Sequence, residues 1–296
     1  MKISLIDIDS KIPNLALKKI EKYHLNKGDK VMWNNELIAN ISDKVYVSCI
    51  FDWNKKKAQQ WEGKAEIGGS GYDLYKKLPP EIEAIRPRIN LGFTTRGCIR
   101  NCPFCIVPRK EGNIKEVGDI YDIWDGQSKK ITLLDNNILG MPNHFFKIAS
   151  QLKKEQLKVD FNQGLDCRLL TDEIAKCLSE LSHVEYRFAF DWDGMDKIIE
   201  HTIQLLKKYG INRCNWYVLV GFNTTFEQDL HRLNFLRLRK QNAYVQRYTR
   251  DRKYIPLARW VNQHNMFYSK TYEEFLELCK TKIGGKYITE FNKIPQ

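Results

Sequence analysis

No apolar run in the 296 residues approaches the roughly 18 to 20 needed to span a bilayer. The amino terminus, MKISLIDIDSK, sets acids within its short apolar run, which argues against a secretory leader and for a cytoplasmic protein. No segment is of low complexity, and 43% apolar residues with 12% aromatics exclude a disordered chain. Acidic charge is in deficit. The 48 Lys and Arg outnumber 36 Asp and Glu and leave a net +12, which favours anionic partners. Nucleic acid is the first candidate, with a phosphorylated substrate or a solvated lysine-rich surface as plainer readings. In the reducing cytosol, the eight cysteines read as ligands and buried thiols rather than as a disulfide framework.

The organisation is α/β throughout. KISLIDID, KVYVSCIF and AEIGGSG read as strands, and PNLALKKIEKYHLNKG as a helix ending at Gly28. KKLPPEIEAIRPR, with its three prolines, reads as a connector. Residues 1–85 thus form a small Rossmann-like α/β unit with a parallel sheet. From about residue 90 the alternation lengthens into six β/α units, beginning at INLGFTT and ending at NAYVQRY. Residues 86–260 are expected to form a partial parallel (β/α)6 barrel with its working face at the carboxyl ends of the strands. Residues 261–296, with TYEEFLELCKTK, make a helical extension.

The chemistry centres on RGCIRNCPFCIVPRK, which puts Cys98, Cys102 and Cys105 within eight residues. Tetrahedral zinc wants four ligands, yet no fourth cysteine stands nearby and the nearest downstream histidine is His144. A cubane iron–sulfur cluster held by three thiolates keeps one iron open. Soft thiolates suit zinc or iron–sulfur, and both stay open at this point.

CIRNCPFC, with Phe104 before the last cysteine, resembles the cluster loop CxxxCxΦC of the radical S-adenosylmethionine (SAM) superfamily. CIVPRKEG continues as in its methylthiotransferase branch. LLDNNIL resembles the second-strand motif that holds the SAM amino group, which points to Asp135, Asn136 and Asn137. RFAFDWDGMDKII resembles the fourth-strand segment whose acid meets SAM, here Asp191. YVLVGFNTTFEQDL is similar to a fifth-strand pattern beside the adenine, which points to Gly221. The resemblance implies a [4Fe–4S] cluster on Cys98, Cys102 and Cys105, with the open iron chelated by SAM. It also implies reductive cleavage of SAM to a 5′-deoxyadenosyl radical for hydrogen abstraction, and an electron donor of flavodoxin or ferredoxin type. Asp135, Gln163, Asp191 and Gly221 each follow an apolar strand core, so a parallel barrel would gather them on one rim. Gln163, Asp166 and Arg168 in NQGLDCRLL are further candidates. Arg168 either pairs the SAM carboxylate or forms a structural salt bridge.

Departures from that branch narrow the reading. Methylthiotransferases carry a second cluster on three amino-terminal cysteines, whereas here that region has only Cys49. Cys167, Cys177, Cys214 and Cys279 are scattered and read as small buried hydrophobes. The amino-terminal unit resembles a shortened cobalamin-binding domain, but lacks the DxHxxG histidine and has only His24, at the far end of its helix. Cobalamin is therefore not expected. The stretch 237–260 interleaves eight Arg and Lys with three Tyr and a Trp, which suits an RNA or DNA substrate or, equally, a solvated face. The competing reading is a non-catalytic zinc or iron–sulfur module that binds nucleic acid or senses redox state.

Overall fold

The protein is described here by a computed structural model covering residues 1–281. Residues 282–296 of the expected extension lie outside the described residues. Strand β1 (Lys2–Asp7) is buried at four successive positions, the pattern of a strand covered on both faces. Helix α1 (Leu15–Asn26) begins where the Asn14 side chain accepts from the Leu17 N–H, and ends just before Gly28. A strand not read in the sequence follows, β2 (Lys30–Trp33), half-exposed and only four residues long. With β3 (Lys44–Ser48) and β4 (Glu66–Gly68) it completes a parallel sheet of order β2-β1-β3-β4. Short helices α2 (Glu36–Ala39) and α3 (Lys55–Gln59) lie between these strands. The proline-rich connector contains a helical turn, α4 (Pro80–Glu83), with Pro80 at its first position.

The second half opens with β5 (Leu91–Gly92), much shorter than INLGFTT suggested. The chain leaves the ladder there because Thr94 and Thr95 are captured by the Asp135 carboxylate. A two-stranded antiparallel pair, β6 (Thr95–Arg96) with β7 (Lys115–Glu116), closes the cysteine loop and the short helix α5 (Val107–Lys110) inside it. Strands β8 (Lys130–Leu133) and β9 (Lys158–Phe161) extend β5 into a parallel sheet, with α6 (Pro142–Lys154) between them. After α7 (Asp172–Ser179) a second parallel sheet follows: β10 (Arg187–Ala189), β11 (Asn215–Val220) and β12 (Asn242–Arg247). Its crossovers are α8 (Asp196–Lys208) and α9 (Phe226–Leu238). The two sheets meet through an isolated parallel bridge between Leu165 and Phe188.

One apolar core runs from Ile120 to Phe275 around Phe188 and Trp216. It takes in residues of α10 (Tyr254–Asn262), α11 (His264–Ser269) and α12 (Tyr272–Thr281), so these helices pack on the same core as the strands. Cys279, expected to be buried, is half-buried against that core. The amino-terminal sheet carries two smaller clusters of its own. Among the described residues no helix is long and apolar enough to cross a membrane.

The second sheet is tied at its carboxyl edge by a wholly buried ion pair. Arg232 donates to Asp229 and to the carbonyls of Phe190 and Leu219, which end neighbouring strands. Asp229 also accepts from the Gly221 N–H at 3.0 Å and the Thr224 hydroxyl at 2.7 Å. Truncating one partner leaves the other charge buried and uncompensated. Arg232→Ala is expected to destabilise folding by about 3–5 kcal/mol in urea titration, and an apolar replacement of both residues by much less.

Candidate functional site

The loop from Gly97 to Gly112 has little regular structure, so its backbone must be satisfied from outside. Gly97 adopts φ of 86°, and a side chain there would strike the Asn113 carbonyl oxygen at 2.3 Å. Its N–H donates to Asn136 Oδ1 at 3.0 Å, and the Cys98 N–H donates to the Gly112 carbonyl at 3.2 Å. Asp135 accepts the N–H and hydroxyl of both Thr94 and Thr95, just ahead of the loop. Burial pushes its carboxyl up in spite of those donors. Asp135 and Asn136 thus hold the loop through their side chains.

The three thiols lie half-buried in this loop. Burial raises Cys102 and Cys105; Cys105, Cys98 and Asp191 push Cys102 further, and Cys98 and Asp191 push Cys105. Backbone amides serve the sulfurs: the Arg100 N–H donates to Cys98 Sγ at 3.3 Å and the Val107 N–H to Cys105 Sγ at 3.4 Å. Asn137 Nδ2 lies 3.4 Å from Cys98 Sγ and 3.4 Å from Asp166 Oδ2. The other end of that amide, Asn137 Oδ1, is buried and has no hydrogen-bond partner among the described residues. An acceptor left so costs about 1–3 kcal/mol, which a bound donor would remove.

Asp166 is the hub beneath the loop. It accepts Arg100 Nε at 3.0 Å and the Arg168 guanidinium at 2.6 and 3.0 Å. Burial alone would raise its carboxyl, but Arg168 and Arg100 outweigh this and hold it below the usual range. The salt bridge foreseen for Arg168 is formed, and its side chain still reaches solvent. Asp191 also faces this space. Burial pushes its carboxyl up to about 6, against the downward pull of the Leu219 N–H, Arg232 and Arg168. Gln163 sits apart, exposed, with only Asn162 as its side-chain partner. Gly221 is tethered to Asp229 at the end of β11.

Of the aromatic side of the site, the sequence pointed to Phe104 and missed Trp192 and Phe222. Phe104 packs on Trp192 and on Phe222, each with ring centroids 5.4 Å apart, and Phe222 meets Tyr248 at 4.7 Å. Trp192 and Phe222 each directly follow a candidate, Asp191 and Gly221, and that adjacency was the available signal.

Three thiolates, two of them served by backbone amides, suit three corners of a cubane, where each thiolate meets its own iron. The remaining scattered cysteines Cys49, Cys167, Cys177 and Cys214 are buried.

No protein-family model matches the chain. It is 27% identical, over an alignment of 206 positions, to a tRNA-2-methylthio-N(6)-dimethylallyladenosine synthase of Flavobacterium psychrophilum, covering 55% of this chain and 40% of that enzyme. An enzyme of the same name from Flavobacterium johnsoniae is 31% identical over 136 positions, covering 32% of this chain and 28% of the other. The chain thus spans less than half the length of these curated relatives. Among solved structures it resembles TsrM, a radical S-adenosylmethionine methyltransferase from Kitasatospora setae with cobalamin and a [4Fe–4S] cluster bound. The TM-score is 0.61 at 10% identity, over 83% of this chain and 74% of that one. The fold is that of a radical SAM protein, two parallel sheets with a cysteine loop at their carboxyl edge. The chain is thus similar in sequence to the two synthases and in fold to a radical SAM methyltransferase.

Replacing any one of Cys98, Cys102 and Cys105 by Ala is expected to cut bound iron and sulfide from about four each to near zero after anaerobic reconstitution. Asn137→Leu should keep the iron while lowering the cluster's reduction potential in voltammetry, because an N–H aimed at a ligand sulfur favours the reduced state.

Proposed function

We propose that the protein is an enzyme that binds one [4Fe–4S] cluster on Cys98, Cys102 and Cys105, binds SAM at the remaining iron, and abstracts hydrogen from an RNA substrate. The observation that carries this is the pairing of three half-buried thiols in one loop with a buried Asn137 Oδ1 beside Cys98 that has no partner among the described residues. When bound and reduced, such a cluster supplies one electron to the sulfonium of SAM, whose C5′–S bond breaks to give methionine and a 5′-deoxyadenosyl radical. The chain's part is to bind, orient and exclude water. Asn137 Oδ1 is suited to accept from the SAM amino group. Arg168, partly exposed beyond Asp166, is suited to pair its carboxylate. The buried Asp191 is suited to a ribose hydroxyl or ammonium donor. Gly221 and Phe222 would flank the adenine, and Phe104 and Trp192 would wall the cluster from solvent. Gln163, exposed after β9 and apart from these residues, stays a candidate for substrate or SAM.

On this reading residues 86–260 work as one open (β/α)6 barrel, whose two sheets the Leu165–Phe188 bridge joins. Helices α10, α11 and α12 back it. The enzyme would act in the cytoplasm with a flavodoxin or ferredoxin as donor. RNA is favoured by the names of the two relatives and by the net +12. Sulfur insertion from a second cluster is not part of the proposal. Before the loop there is only Cys49, whose sulfur lies against the Phe51 carbonyl at 3.2 Å.

For residues 1–85 we propose a docking role rather than a corrinoid site. The unit's only histidine, His24, is held between Asp29 and Tyr46, beside the start of β1 and away from the strands' carboxyl ends. The loops at that edge fill one another. Side chains at Gly69 and Gly71 would strike the Cys49 and Phe51 backbone at 2.3 Å, and Ser70 accepts from Lys110 at 2.7 Å. Glu83 accepts from Lys19 at 2.8 Å and from Arg96 at 3.2 Å, and Arg96 also pairs Glu111, so the unit grips both ends of the cysteine loop.

Anaerobically reconstituted protein given dithionite and SAM should release 5′-deoxyadenosine. Its absence from protein that retains four irons would overturn the enzyme reading. Hydroxocobalamin should pass through gel filtration unbound, and a comigrating corrinoid band would reverse the docking proposal.

A further inference from the structure

The aromatic wall of the site does not stop at Tyr248. That residue is 52% exposed and opens a surface loop, Arg247 to Lys253, at the end of β12. Arg250 in the same loop reaches across to the amino-terminal unit, where its guanidinium lies 6.0 Å from the ring centroid of Trp53. Trp53 stacks on Phe51 at 4.5 Å with 14° between the planes, yet stays 58% exposed, so ring surface is left for another partner. Phe104, Phe222, Tyr248, Arg250, Trp53 and Phe51 therefore form a track from the cysteine loop out across the junction of the two units.

Single exposed aromatics are ordinary, but a row of half-buried and exposed rings flanked by cations is not. Arg247, Arg252 and Lys253 are exposed on one side, and Lys55, Lys56 and Lys57 on the other. Asp52 and Asp251 are the acids in these two loops, and Asp251 is paired with Lys253 at 3.5 Å. Flat rings a few ångströms apart, with guanidinium and ammonium groups beside them, match unpaired bases on a phosphate chain. An acidic protein would use the cations and leave the indole face idle.

We propose that this track is the path of a single-stranded RNA segment, with Trp53 stacking on an unpaired base outside the catalytic pocket and Arg250 holding its backbone. The proposal rests on the RNA reading above and adds to it the surface that presents the strand. Neither residue touches the cluster loop, so both can be changed without altering the SAM site.

The test uses the full reconstituted chain, a fluorescein-labelled unstructured RNA oligonucleotide, and a labelled polyglutamate peptide as the acidic control. Anisotropy should show Trp53→Ala weakening RNA binding about tenfold or more, with Trp53→Phe largely retaining it. Arg250→Ala should weaken it less and lower the salt slope by about one. SAM cleavage without RNA should be unchanged in all three variants. Three outcomes overturn the proposal: wild-type RNA affinity in Trp53→Ala, equal binding and equal loss with polyglutamate, or no RNA binding by wild type in about 50 mM salt. Because 5′-deoxyadenosine is read separately, loss of this surface role leaves the radical SAM reading intact, and loss of cleavage in wild type sinks that reading instead.

Discussion

The structure depends on holding three thiols at set positions in a loop with almost no ladder of its own. A loop of this kind is satisfied from its surroundings or not at all. Asp135 takes four donors at its entrance, Asn136 takes the Gly97 N–H, and Asp166 takes the Arg100 side chain from below. Each anchor comes from the loop after β8 or β9, so the cysteines are placed by strands far from them in sequence. Preorganisation of this kind lets a metal group bind without first ordering the chain.

The same logic governs the opposite rim. GFNTTFEQDL reads as a binding motif, yet most of its polar residues build the turn. Thr225 and Gln228 cap α9 reciprocally, and Asp229 ties Gly221, Thr224 and Arg232 together. What the motif offers outward is the backbone at Gly221 and the ring of Phe222. A buried ion pair is costly to desolvate, and here each charge meets several partners, including the carbonyls that end β10 and β11. The strand ends that frame the site are thereby locked in relation to one another.

The amino-terminal unit keeps a tight seam with the cysteine loop. Lys19, though buried, keeps its charge partner in Glu83, which in turn engages Arg96 one residue before Gly97. Burial lowers the Lys19 ammonium in spite of that partner, a sign of how dry the seam is. The unit also supplies Trp53 and Phe51 to the rim, so the junction shapes both the loop beneath and the surface above.

Much was legible from residue order alone. The spacing of Cys98, Cys102 and Cys105, the six apolar strand cores and the candidates Asp135, Gln163, Asp191 and Gly221 after four of them follow from local chemistry, because ligand spacing and strand periodicity are properties of neighbours in the chain. Short elements were harder: β2 escaped because four half-exposed residues carry too little alternation, and β5 came out shorter because Asp135 competes for the backbone at Thr94 and Thr95. Pairing across the fold was not legible. That Asp135 would hold the loop, that Arg100 would reach Asp166, and that Trp192 and Phe222 would close on Phe104 with Tyr248 behind Phe222 are meetings of residues tens to more than a hundred positions apart. Sequence by itself determined which atoms are available for the chemistry. Only the tertiary structure decided which of them face the site and which are spent holding it, because a hydrogen bond or a ring contact depends on distance in space rather than along the chain.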